Sequence, residues 1–169
     1  MAITSAICSS FKQELLQGKH NFASSGGDTF KLALFDSDAS LGASTTDYST
    51  SEEVTNTSGT AYTAGGETLT RSGVGLTGTT AFTDFTDVTY SSASFTANGA
   101  MIYNTTTGTG SSTTDSVAII AFGGDKTASN GTFKIEFPAN DATAAIIRLA
   151  YEADHVGKLR MGTVHLRPS

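Results

Sequence analysis

Residues 116–137 read S-V-A-I-I-A-F-G-G-D-K-T-A-S-N-G-T-F-K-I-E-F, and the two halves of this stretch carry different strand signatures. Val117 to Phe122 is a short apolar run without polar alternation, as expected of a strand covered on both faces. Thr132 to Phe137 alternates: Phe133, Ile135 and Phe137 share one face, and Thr132, Lys134 and Glu136 the other, the period of a half-buried strand. Between them, Gly123-Gly124-Asp125-Lys126 and Ser129-Asn130-Gly131 tolerate positive φ and allow the chain to reverse. The stretch predicts a hairpin with a long loop, with other strands packed around it.

Further strand signals lie on either side. Phe30, Leu32 and Leu34 alternate against Lys31 and Ala33 between turn residues Gly26-Gly27-Asp28 and Asp36-Ser37-Asp38. Phe95 with Ala97, and Met101 with Tyr103, are strand candidates separated by Asn98-Gly99, a strong turn dipeptide. Residues 144–150, with Ile146, Ile147 and Leu149, give another. Thr50 to Thr60 reads as a surface loop or edge strand, Arg71 to Thr80 as a loop or twisted edge strand, and Asn104 to Thr114 as an exposed low-complexity loop. One helix is predicted, Ile7 to Lys19. Ser10 would be its N-cap with Gln13 three residues on, Ile7, Phe11, Leu15 and Leu16 its apolar face, and Gly18 its stop. No solenoid period is present. The pattern predicts an all-β chain: a β-sandwich or jelly-roll-like domain over residues 1–150, with a short N-terminal capping helix, and an extended C-terminal tail over 151–169.

At 169 residues and 17.4 kDa the chain can bury one genuine core. Only 15% of its residues are charged, and Ser, Thr and Gly take their place. That suits sheet surfaces that face a neighbour, although β-propensity alone also favours Thr. The net charge is −6, and it is uneven. Residues 1–144 hold six Lys/Arg against fourteen Asp/Glu, whereas 145–169 hold four against two. An acidic body does not invite a phosphate backbone, so no nucleic-acid partner is expected. The basic end suits either docking on an acidic neighbour or simple solvation. Cys8 is the only cysteine, which leaves no intrachain disulfide. The start lacks the basic-then-apolar pattern of a secretory leader, and no run has membrane-spanning length. A soluble protein made in the cytoplasm, with no membrane partner, is the expectation.

Several motifs suggest chemistry, and each has a plainer reading. Gly73-Val74-Gly75-Leu76-Thr77-Gly78 matches G-x-G-x-x-G, but a dinucleotide site needs a helix to follow, and Thr79 to Thr83 leans towards strand. Asn56, Asn104 and Asn130 head glycosylation sequons that a Thr-rich composition produces by itself. Asp36 with Asp38, or Asp84 with Asp87, could act as paired acids or hold a hard cation. Neither pair has the glycine and terminal glutamate of a calcium loop, and turn-capping aspartates are commoner. His20, His155 and His165 lack zinc-ligand spacing, and His20 reads as a histidine bonded within a turn. No G-x-S-x-G elbow exists. No catalytic residue, metal or cofactor is expected.

Five pieces nevertheless carry a resemblance: F-K-Q-E-L-L-Q-G-K-H-N-F (11–22), G-D-T-F-K-L-A-L-F (27–35), A-G-G-E-T-L (64–69), G-A-M-I-Y-N (99–104) and F-G-G-D-K-T-A-S-N-G-T-F (122–133). Running in order from Phe11 to Ala150, they resemble a family of small tailed-bacteriophage structural proteins. The resemblance implies a non-enzymatic virion component, either a head decoration or cement protein or, as the alternative, a tail- or fibre-associated or glycan-binding one. Its partners would be itself, as a dimer or trimer, and the major capsid or other virion proteins. Contact residues are expected in the two terminal segments: Ile3 and Ile7 at the start, and Tyr151, His155, Leu159, Arg160, Met161, Leu166 and Arg167 at the end.

Overall fold

The computed structural model describes residues 2–55, 61–106, 112–152, 155–162 and 164–168, with backbone alone for 151–160 and 167–168. The fold is all-β and sandwich-like with one short N-terminal helix. In chain order the elements are β1 (Ala6–Ile7), α1 (Ser9–Leu16), β2 (Phe30–Phe35), β3 (Glu67–Leu69), β4 (Arg71–Thr77), β5 (Thr80–Phe85), β6 (Val88–Asn104), β7 (Ser116–Glu136), β8 (Ile147–Glu152), β9 (His155–Met161) and β10 (His165–Pro168). They form two antiparallel sheets. One runs β1-β7-β6-β2-β3, with β10 also on β7, and the other runs β4-β5-β8-β9.

The centre is a ribbon of two unusually long strands, the 17-residue β6 and the 21-residue β7. The expected hairpin inside 116–137 is not formed: both halves belong to β7, and both pair with β6. Asn98-Gly99, read as a turn, also lies within β6. The turn signals are real but become bulges. Gly123 and Gly124 take φ of 72° and 132°, and Asn130 takes 52°. Between the pairs Ala97↔Lys126 and Gly99↔Ala121, β7 thus carries extra residues, and Asn98 Nδ2 donates to Asp125 Oδ1 at 2.8 Å across the gap. A positive φ reverses a strand only when the following segment has no better partner. Here both segments find β6, and the kinks supply the twist that strands of this length require.

The apolar run is buried on both faces, as its pattern predicts. Leu32, Ile102 and Ala118 share one face of the first sheet, and Ala33, Met101 and Ile119 the other; all are buried. The first face meets α1 and the second sheet through a cluster of rings. Phe22 stacks on Phe30 at 4.5 Å, and Phe85 of β5 and Phe11 of α1 join them edge-on or tilted. The opposite face is covered by the connection after β2, where Tyr48 stacks on Tyr103 at 4.3 Å. At the far end of the ribbon, Tyr90, Phe95, Phe122 and Phe133 form a second ring cluster with Tyr62.

α1 is shorter than the periodicity predicts. Ile7 pairs with Ala118 as part of β1, so Cys8 becomes the N-cap, without a side-chain cap bond. Ser10 is not the cap: it lies inside the helix, its buried Oγ lacking a partner. Of the expected apolar face only Phe11 is buried in the helix, and Leu16 is 91% exposed. The stop is as expected. Gly18, at φ 72°, donates to Leu15 O while Lys19 donates to Glu14 O, a Schellman closure. Residues 151–169, set apart in sequence as a tail, supply the end of β8 and all of β9 and β10, which complete both sheets within this chain. The expected strand over 144–150 begins only at Ile147.

Gly99 shows why a residue typical of turns sits in a central strand. A Cβ there would lie 2.8 Å from Ile120 O and 2.8 Å from Ile3 side-chain carbons. Gly99→Ala is expected to destabilise the fold by about 1–3 kcal/mol in urea unfolding. Adding Ile3→Ala should recover part of that loss, leaving the share caused by the rigid carbonyl. A neutral Gly99→Ala would contradict the close approach.

Candidate functional site

The Schellman closure of α1 doubles the chain back so that His20 returns beside the helix. Its ring is buried between Phe11 and Phe30. The Nε2–H donates to Glu14 Oε2 at 3.0 Å, and Nδ1 accepts from Asn104 Nδ2 at 3.1 Å. The tautomer follows from the surroundings of Asn104. Its Oδ1 accepts from Thr106 N at 2.9 Å and its Nδ2 also donates to Asp28 Oδ2 at 2.8 Å, so the amide cannot be turned over without opposing like groups. Both ring nitrogens are therefore taken by protein partners. The arrangement ties α1 to β6 and to the loop before β2, and offers no free nitrogen for proton transfer. The sequence reading of His20 as bonded within a turn understates it: Asn104 lies 84 positions away.

Beside this network a cleft of about 530 Å³ opens between the end of α1 and the second sheet. Leu15 and Phe22 line one side, and Val74, Ala81, Ile147 and Leu149 the other. The two walls are held together by Arg71 at the start of β4, which donates to the carbonyls of Ala23 and Asp28. The G-x-G-x-x-G segment lies here, as strand β4 and the turn into β5, with no helix after it to meet a phosphate. In place of a nucleotide cradle, Gly75 lies under the ring of Phe82, where a Cβ would come within 2.4 Å of that ring.

Of the two acidic pairs, Asp84 and Asp87 are engaged separately, while Asp36 and Asp38 come together. Asp84 is buried and accepts from the amides of Phe85 (2.8 Å) and Ile146 (3.0 Å), fastening β5 to the segment before β8. Burial pushes its carboxyl up to about 6, against the pull of those two amides, and the neighbouring Asp87 and Asp141 carboxylates add to the rise. Asp87 instead pairs with Lys134 at 2.8 Å and accepts from Phe137 N, and the bond to Lys134 chiefly holds it below the usual range. Asp36 and Asp38 share a corner with Glu52, their oxygens within 4.8 Å of one another. The three could meet a cation, yet Asp36 already caps its own turn through Asp38 N, and all three lie on the surface or half-buried.

A buried carboxylate that the sequence hid is Glu53. It lies in the segment 50–60 that the sequence marks as a surface loop or edge strand, yet it is buried, whereas Glu52 before it takes φ 59° and stays exposed. Glu53 accepts from Tyr48 Oη at 2.6 Å, from Gly65 N at 2.7 Å and from Tyr62 Oη, which itself accepts from Leu34 N. Burial, with Glu53 adding to it, pushes the phenols of Tyr48 and Tyr62 well above the ordinary tyrosine range. Tyr103, also chiefly by burial, is raised to about 12 and donates to Gly65 O. The unit clamps the long connection between β2 and β3 onto β2, and no local pattern in sequence marks it.

The expected contact residues divide three ways. Ile7 lies in this chain's own core and presents no surface to a neighbour; Ile3 is half-buried, bridged to Leu41. Met161 and Leu166 are half-buried and packed against the core. The side chains of Tyr151, His155, Leu159, Arg160 and Arg167 lie outside the described residues, although their backbones run in β8, β9 and β10. Of the sequons, Asn104 is buried in the His20 network and Asn130 is exposed in β7, while Asn56 lies outside the described residues.

Comparison of the chain with protein-family models, with curated proteins and with solved structures finds no match.

Two outcomes follow from the buried carboxylates. Glu53→Gln, which offers one acceptor oxygen for three donors, should lose about 1–3 kcal/mol in urea unfolding; an unchanged midpoint would exclude the clamp. Asp84 has a folded-state pKa above its unfolded one, so its contribution is complete below about 4 and is lost as pH rises through about 6. Wild type should thus gain stability relative to Asp84→Asn as pH falls from 7 to 4.5. A gap independent of pH would contradict the buried carboxyl.

Proposed function

We propose that this chain is a non-enzymatic structural component of a tailed-phage particle that decorates or cements the head shell through self-association and capsid contacts. The observation that carries this reading is where exposed apolar side chains fall. Among the described residues the large ones are Leu16, Val74 (64%), Leu76 (72%) and Leu149 (50%). The last three share one face at the β4 side of the second sheet, since Leu76, Ala81 and Leu149 pair in register. A clustered apolar edge beside an uncharged hairpin is an association surface. The remaining surface supports the same reading: the exposed face of the β6–β7 ribbon carries Thr96, Asn98, Asp125 and Thr127, cross-linked by their own hydrogen bonds. Such a face forms many weak polar contacts, which a repeating shell multiplies through effective concentration.

The resemblance over residues 11–150 supports the particle setting. The tail- or fibre-associated alternative draws less from the structure. Glycan platforms use solvent-facing aromatic rings, whereas Tyr48, Tyr62, Tyr90 and Tyr103 are engaged in stacking or ring contacts inside the molecule.

Purified protein should form a defined oligomer by light scattering and co-sediment with empty phage heads, and quantitative mass spectrometry of the virion should count hundreds of copies. A strict monomer without affinity for shells would overturn the reading, and a dozen copies or fewer would move it to the tail or a vertex.

A further inference from the structure

The second sheet ends at β4, and no described strand pairs with its outer side. Natural proteins guard such an edge with lysine, proline or an inward-pointing charge. β4 has none of these after Arg71, and residues 72–83 contain no charged side chain in a chain of net charge −6. Its backbone groups can be assigned from the turn. Thr77 and Thr80 flank the two-residue connection Gly78-Thr79, so they form a hydrogen-bonded pair, and pair types alternate from there. Gly75 accordingly directs its N–H and C=O at Phe82, while Val74 and Leu76 direct theirs away from β5, onto the free edge.

We propose that this edge is a two-fold interface, at which β4 pairs antiparallel with β4 of a second copy of the chain about an axis at Gly75. In that register Val74 lies opposite Leu76 of the second copy, and each such pair exchanges two backbone hydrogen bonds. Gly75 lies opposite itself in the non-hydrogen-bonded position, where backbones approach most closely, and it has no Cβ to obstruct them. Val74 and Leu76 share a face, so the four side chains of the two copies form one apolar patch, continuous with Ala81 and Leu149 in the adjoining strands. Charge selects the same surface. Two acidic bodies repel, and the uncharged hairpin lets them meet without opposing carboxylates. Joining the edges makes a continuous eight-stranded sheet from the two four-stranded ones and covers the free β4 edge of each copy at once.

The inference rests on the self-association in the proposed function and supplies its geometry. The test is sedimentation equilibrium on wild type, Leu76→Lys and Leu16→Lys, with circular dichroism as the check on folding. Leu76→Lys should weaken the dimer at least ten-fold with an unchanged spectrum, because Leu76 is exposed in the single chain, and Leu16→Lys should leave it intact. Amide hydrogen exchange at Val74 and Leu76 should slow as protein concentration rises, with Gly75 unaffected. A wild type that stays monomeric at millimolar concentration, an oligomer that survives Leu76→Lys, or protection at Val74 and Leu76 only when a different protein is added would each overturn the interface. A wild-type dimer that ignores empty heads would sink the particle role and leave the interface standing. Head binding by an oligomer insensitive to Leu76→Lys would do the reverse.

Discussion

The antiparallel pairing of β6 with β7 is the constraint on which the rest of this molecule depends. Strands in globular proteins commonly run three to ten residues, and these two run 17 and 21. A ribbon that long must twist, and the bulges around Gly99, Gly123-Gly124 and Asn130 absorb the twist without breaking the pairing. Its two ends therefore serve different parts of one continuous core. The end near Ile102 and Ala118 carries β2, β1 and α1; the end near Phe95 and Phe133 carries its own ring cluster and, through β10, the last strand of the chain. Side chains are packed on both faces only where other segments cover the ribbon, and elsewhere its outer face is hydroxyl-rich.

The buried polar groups make sense within that frame. Asp84, Asn104 and His20 are satisfied by partners from distant parts of the chain, and Glu53 by partners along its own long connection. A charge or amide taken out of water costs several kcal/mol unless bonded, and charge-assisted bonds to it are worth about 1.5–3 kcal/mol each. Such groups select one arrangement of the long connections over other equally apolar ones. This explains why residue types that usually signal chemistry serve here to hold loops against sheets, with their lone pairs and protons directed inward.

The second sheet has the opposite character. It is narrow, it leans on the first through Phe85, Ile146 and Ile147, and it leaves a cleft where α1 ends. The apolar side chains of β4 and β8 then reach beyond the area the single chain can cover.

Sequence by itself determined the strand-rich class, the both-face burial of Val117 to Ile120, the alternation around Phe133 and Ile135, the stop of the helix at Gly18 and the scarcity of charge. Each depends on periodicity, on one residue's backbone freedom or on composition, all of which are local. Only the tertiary structure decided whether Asn98-Gly99 and Gly123-Gly124 turn the chain or kink it, because that depends on whether a partner strand lies alongside. It also decided that Ile7 belongs to a strand and not to the helix, that Glu53 is buried while Glu52 is not, and that Asn104 locks His20. Those outcomes come from contacts between segments far apart in the chain, and local pattern contains no information about which distant groups will meet.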